Sequence, residues 1–141
     1  MTEEERRAIE WDCTRLINLY AALNDQARWE EVAALYTEDG LMTRPTAPDA
    51  PIIGREALLA AFLSRPPRVS RHIVANIVIT VEDARSASAF SMILLFTGAI
   101  AEDGSLPVAG APLVGEYRDR FALTPDGWRF SERRGALSFK P

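Results

Sequence analysis

Apolar side chains recur at helical spacing through the first forty residues. Ile9, Cys13, Leu16, Ile17, Tyr20 and Leu23 follow one another every three or four positions with Glu10, Asp12 and Arg15 between them, which predicts an amphipathic helix with one buried stripe. Thr2 followed by Glu5 reads as a capping box, in which a hydroxyl and a carboxylate satisfy the free N–H groups of the first turn, so this helix is expected to start near Glu3. Asn24 and Asp25 interrupt the stripe with cap-type residues. Trp29, Val32, Ala33 and Tyr36 then make a second stripe, expected to stop at Gly40 as a C′ glycine. After a short apolar piece at Leu41 to Thr43, Pro45, Pro48 and Pro51 mark a loop, and "GREALLAAFLS" predicts a third helix closed by Pro66 and Pro67.

The period then falls to two. From Arg71 on, Ile73, Ala75, Ile77, Ile79 and Val81 alternate with His72, Val74, Asn76, Val78 and Thr80, the signature of a long strand. The odd face is wholly apolar and the even face is mixed, so both are expected to be covered: the mixed one by helices around a pocket, the apolar one by a second copy of the chain in a homodimer. Ala87 to Ile100 and Leu113 to Leu123 read as further strands, and "TPDG" as a hairpin turn into a last strand, "WRFSERRGALSF". Helices first and an antiparallel meander afterwards make the chain α+β, a single domain over residues 1–141 with no internal repeat.

Composition removes several classes of function. With 20 acidic against 16 basic residues the net charge is −4, which leaves no basic footprint for nucleic acid. One cysteine and one histidine can form neither an internal disulfide nor a zinc set, so no metal is expected, and a reducing cytoplasmic setting is. The longest apolar run, Phe90 to Ala101, is too short for a membrane span, and the acidic start lacks a signal-type apolar segment, so no membrane association is expected. No Gly-Lys-Ser/Thr follows the recurring glycines, and no Gly-x-Ser-x-Gly occurs, which argues against a phosphate loop and a serine hydrolase.

Five stretches in order, "NLYAALNDQARWEEVAALYTEDG", "IIGREALLAAF", "RHIVANIVI", "GEYRDRFAL" and "DGWRFSERR", resemble the SnoaL-like branch of the nuclear transport factor 2-like superfamily, of the scytalone dehydratase and ring-hydroxylating dioxygenase beta-subunit types. The resemblance implies a cone-shaped α+β barrel, three N-terminal helices packed on a curved antiparallel sheet around a deep apolar pocket. It also implies an acid/base pair facing that pocket, Asp25 at the junction of the first two helices and His72 on the long strand. Such a pair suits a cofactor-independent lyase or isomerase acting on a small cyclic or aromatic apolar molecule: imidazole moves a proton near neutral pH, and a carboxylate holds its tautomer. Where the dehydratase pattern has two tyrosines and a further histidine, this chain has Asn24, Thr43 and Thr97. These three, with Val74 and Asn76 on the face of His72 and with Phe62 of the third helix, form the expected substrate-binding lining. Each member of the pair also has a structural reading, Asp25 as the N-cap of the second helix and His72 as a packed strand residue. A non-catalytic binding protein, or a subunit like the dioxygenase beta chain, is the other functional class. The arginines of "RRG" read as a solvated strand end.

Overall fold

A computed structural model describes residues 1–141. Helix α1 (Glu3–Asp25) opens on the expected capping box: the Glu5 N–H donates to Thr2 Oγ1 at 3.1 Å and the Thr2 N–H donates to the Glu5 carboxylate at 2.7 Å. Its predicted stripe is the buried one, with Ile9, Cys13, Leu16, Ile17, Tyr20 and Leu23 all in the core. A short helix α2 (Trp29–Ala33) follows, then strands β1 (Tyr36–Arg44) and β2 (Ala47–Ile53), helix α3 (Arg55–Leu63), and strands β3 (Val69–Asp83), β4 (Ser86–Gly98), β5 (Leu113–Thr124) and β6 (Gly127–Leu137). The six strands form one curved sheet in the order β2-β1-β6-β5-β4-β3. Helix α1 lies across β3 and reaches β6, and α2 and α3 pack on each other beside β1. Phe121, Phe130, Tyr20 and Tyr36 meet between the layers, with ring centroids 5.0 to 5.9 Å apart. No helix is long and apolar enough to cross a membrane.

The α+β class and the cone-like wrap of helices on a curved sheet are as expected, with one pairing different. β1 runs parallel to β6, so the sheet is mixed. The second stripe does not continue as helix to Gly40, because β6 captures it: the Phe130 N–H donates to the Leu35 carbonyl at 2.8 Å and Tyr36 lies opposite Phe130. Ladder bonds and burial of Tyr36 outweigh a spacing that fits either element. The proline-marked segment is likewise a strand. β2 pairs only with β1, as the sheet's edge, where Pro48 and Pro51 need not donate to a second neighbour.

The long strand β3 holds a bulge. Ala75 faces Met92 and Val78 faces Phe90, so Asn76 and Ile77 stand against Ser91 alone, with Asn76 at φ 53, a left-handed conformation that Asn tolerates well. The extra residue reverses the parity of the strand. Val74 packs on the core from the even positions, whereas Ile77, Ile79 and Val81 pack on it from the odd ones. The expected outer face of Ile73, Ile77 and Ile79 is therefore corrected: Ile77 and Ile79 point inward, and the exposed pair is Ile73 (52%) and Val78 (59%).

Candidate active site

Asp25 is the last residue of α1 and caps no helix. The N-cap of α2 is Arg28, which makes no side-chain capping bond. The hydrogen bonds of the Asp25 carboxylate come instead from β3: the Ser70 hydroxyl donates to Oδ1 at 3.0 Å, the His72 N–H donates to Oδ2 at 2.8 Å, and His72 Nδ1 lies 2.5 Å from Oδ1. Both side chains are largely covered, His72 at 10% exposure and Asp25 at 13%. Burial pushes the Asp25 carboxyl up, but the hydrogen bonds from the His72 ring and backbone, the pull of the ring's charge and the Ser70 hydroxyl together outweigh it, and the pKa falls below the ordinary 3.8. An ionised carboxylate only accepts. Nδ1 must therefore carry the hydrogen, which leaves Nε2 as the basic nitrogen of the neutral ring.

The lowered pKa makes a stability prediction with a definite sign. Asp25 contributes stability fully above its unfolded value near 3.8, and loses it as pH falls through the lower folded value. Melting temperatures measured from pH 7 down to pH 2 are expected to show Asp25→Asn less stable than the wild type at neutral pH, the two curves converging below about pH 3.8. A constant offset across the range would contradict the assignment.

His72 is a wall of a cavity of about 360 Å³ between the helices and the concave sheet face, a size within the range of small-molecule sites. Asn24 and Thr43 line it as well. Thr43 is 1% exposed, and its hydroxyl is committed to Gly135, accepting from that N–H at 3.0 Å and reaching the carbonyl at 3.5 Å. The other expected lining residues lie elsewhere. Phe62 is fully buried, stacked on Trp29 with centroids 5.7 Å apart. Val74 packs into the core from the sheet. Asn76 is exposed at the bulge, donating to Met92 Sδ at 3.2 Å. Thr97 sits opposite Ser70, and its carbonyl accepts from the Gly110 N–H. The bulge accounts for Asn76, and the depth of the aromatic stack accounts for Phe62.

Several wall residues were not foreseen. Ile93, Leu95, Leu113 and Leu137 give the cavity an apolar side, and Gly115 lets two backbones close there, since a Cβ would stand 2.6 Å from the Ala136 carbonyl oxygen. Tyr20 and Tyr117 form another part of the wall. Burial, opposed by Arg133, pushes the Tyr117 phenol up to about 12, so it stays protonated. Behind these rings is Arg133, which corrects the solvated reading of "RRG": its side chain is 1% exposed and Nε lies 3.0 Å from Oδ1 of a fully buried Asp119. Its guanidinium carbon stands 3.9 Å from the Tyr117 ring centroid, 4.4 Å from Tyr20 and 4.8 Å from Phe130. Arg134, by contrast, is exposed beside Glu132. Arg44, Arg65 and Arg68 also line the cavity. A signal for two of them stood in the sequence: no acidic residue occurs between Glu56 and Glu82, a span that holds Arg65, Arg68 and Arg71.

Among solved structures, a candidate scytalone dehydratase from Novosphingobium aromaticivorans superposes with a TM-score of 0.84 at 22% identity, over 98% of this chain and 89% of its own. An NTF2-like protein with a cystatin-like fold from the same organism gives 0.75 at 25% identity, over 98% and 84%. A hexachlorocyclohexane dehydrochlorinase, LinA type 2, gives 0.81 at 15% identity, over 98% and 90%. No curated protein matches the sequence significantly. These structures share the fold, a mixed curved sheet under N-terminal helices. The SnoaL-like domain family matches residues 5–134, nearly the whole chain, and the protein belongs to that family.

Proposed function

We propose that the protein is a cofactor-independent lyase or isomerase in which His72 is the general base and Asp25 its positioning partner. The observation that carries this reading is the 2.5 Å contact between Asp25 Oδ1 and His72 Nδ1 at the wall of a cavity. With Nδ1 committed, Nε2 takes a proton from a carbon beside a carbonyl, and the electron pair left behind forms an enolate. That pair then either expels a group from the β-carbon, giving an alkene, or collects the proton back at another carbon, moving a double bond. The site of Asp25 supports this role, because its acceptors are spent on β3 and none on a helix end.

One proton carrier narrows the chemistry. Thr43 is bonded to Gly135, Tyr117 stays protonated, and the Tyr20 hydroxyl lies between Tyr36 (3.0 Å) and Met42 Sδ (3.6 Å). Reactions that use a single ring twice suit this site, either a proton shift or an elimination whose proton returns to the leaving group. So does expulsion of a halide, which leaves without a proton, as the name of the dehydrochlorinase describes for that enzyme. Proton NMR in D2O tests the reading with cyclic ketones bearing a β-hydroxyl, a β-chloride or a β,γ-double bond. The expected result is α-proton exchange or product formation well above the buffer rate for at least one class. Exchange at the buffer rate throughout would favour the binding-protein alternative.

A further inference from the structure

The wall of the His72 cavity is rich in arginine, and the nearest carboxylate, Asp25, is committed to His72 and Ser70. The chain carries more acidic than basic residues, yet three arginines line this cavity and no aspartate or glutamate does. None of the three forms an ion pair with a carboxylate, whereas Arg133, buried behind the same wall, is paired with Asp119. Arg44 makes one long bond, Nη2 to the Ala61 carbonyl at 3.5 Å, and its buried Nε has no partner. Arg65 is fixed in place: Nη1 donates to Asn24 Oδ1 at 3.3 Å, and the guanidinium carbon stands 4.9 Å over Phe62 and 5.3 Å over Trp29. Burial lowers the Arg65 pKa, and the charges of Arg44 and Arg68 push it the same way while Tyr20 and Tyr117 oppose them.

We propose that the cavity binds a small organic carboxylate, its apolar cyclic body against Ile93, Leu95, Leu113 and Leu137 and its carboxylate on Arg65, Arg44 and Arg68. This names the substrate class of the site proposed above and rests on that reading only for the chemistry that follows binding. An anion there would meet guanidiniums that no carboxylate pairs, and would offset the charge that Arg44 and Arg68 set against Arg65. The planar guanidinium fork matches a carboxylate in shape as well as charge. Inorganic phosphate would satisfy the charge and leave the aliphatic wall empty. The anionic group is distinct from the carbonyl that acidifies the reacting C–H. A ligand of this kind is amphipathic, with an apolar body such as the sequence leads one to expect and an anionic group added to it.

Calorimetric titration with 2-naphthoate, 2-naphthamide and inorganic phosphate tests the proposal on the wild type, Arg65→Gln, Arg68→Gln and His72→Asn. The acid should bind at least about tenfold more tightly than the isosteric amide and than phosphate, and Arg65→Gln should weaken the acid about tenfold while changing the amide little. Arg68→Gln, an exposed position, gives the same comparison should Arg65→Gln lose its fold through the Trp29 and Phe62 stack. Equal affinity for acid and amide, an equal loss of both in the arginine variants, or phosphate binding as tightly as naphthoate would overturn it. Retained naphthoate affinity in His72→Asn supports the carboxylate site whatever becomes of turnover. Loss of the acid–amide difference with ketone turnover intact sinks the carboxylate alone.

Discussion

His72→Asn is expected to lower turnover by about a hundredfold or more on any carbonyl compound the protein converts, the usual scale for one general base, while leaving the fold almost unchanged. The asparagine amide reaches about as far as Nδ1 and can keep the bond to Asp25 Oδ1, now 2.5 Å from the ring, so what disappears is Nε2 and little else. The His72 N–H bond to Oδ2, at 2.8 Å, belongs to the backbone and survives. Asp25→Asn should cost a loss of similar order for a different reason. Its amide oxygen must face the His72 N–H, which turns the NH2 toward Nδ1, moves the ring hydrogen to Nε2 and makes the base a donor. Steady-state kinetics with melting curves on both variants check this. Turnover of His72→Asn within threefold of the wild type would remove His72 from the reaction.

Asp119→Ala should be among the most damaging single substitutions in the chain, although it lies outside the cavity wall. It leaves the Arg133 guanidinium, 1% exposed, enclosed by Tyr20, Tyr117 and Phe130 with no carboxylate. An unpaired buried charge of this kind costs about 3–5 kcal/mol, a fall in melting temperature on the order of 10 °C for a domain of this size. Removing both charges should be far milder, because well-packed apolar groups need no counter-charge, and Nη2 of Arg133 and Oδ2 of Asp119 are unpartnered already. The double variant Asp119→Leu/Arg133→Met is therefore expected to recover most of the loss in urea and thermal unfolding. Burial, against the pull of Arg133, raises the Asp119 carboxyl from 3.8 to about 6. Between those values the folded chain holds a proton the unfolded chain has released, so this residue's contribution to stability falls as pH rises through the window. The double variant should lack that slope. Equal destabilisation in the single and double variants would show that packing, and not charge, is what Asp119 supplies.

What the sequence discloses depends on how local the cause is. The capping box at Thr2, the α1 stripe and the strand state of β3 are read from neighbours within a few residues, and they fold as read. The Asp25–His72 pair, 47 positions apart, was reached only through a family resemblance, although the contact itself is direct. Segments whose state is decided by a distant partner are not legible in this way. Tyr36–Arg44 carries a helix-compatible start and becomes a strand because β6 lies beside it, and Ala47–Ile53 needs only one neighbour to be an edge. At Asn76 a single inserted residue changes which face is inside, and no periodicity reading that assumes an unbroken strand can place Ile77 and Ile79 correctly. Arg133 and Arg134 are adjacent and chemically identical, so only Asp119 across the sheet tells the buried one from the solvated one.

Cys13 gives the protein a built-in clock for its own opening. It is the chain's one thiol, fully enclosed under α1, and burial, with Asp12 and Asp119 adding to it, raises its pKa to about 12. A native molecule therefore offers a maleimide neither access nor thiolate, whereas an opened one offers both. The labelling rate reports how often the helix layer lifts from the sheet, in unaltered protein and without an engineered probe. Ligands that close the cavity, and substitutions that loosen the floor beneath it, can be ranked by that one reaction.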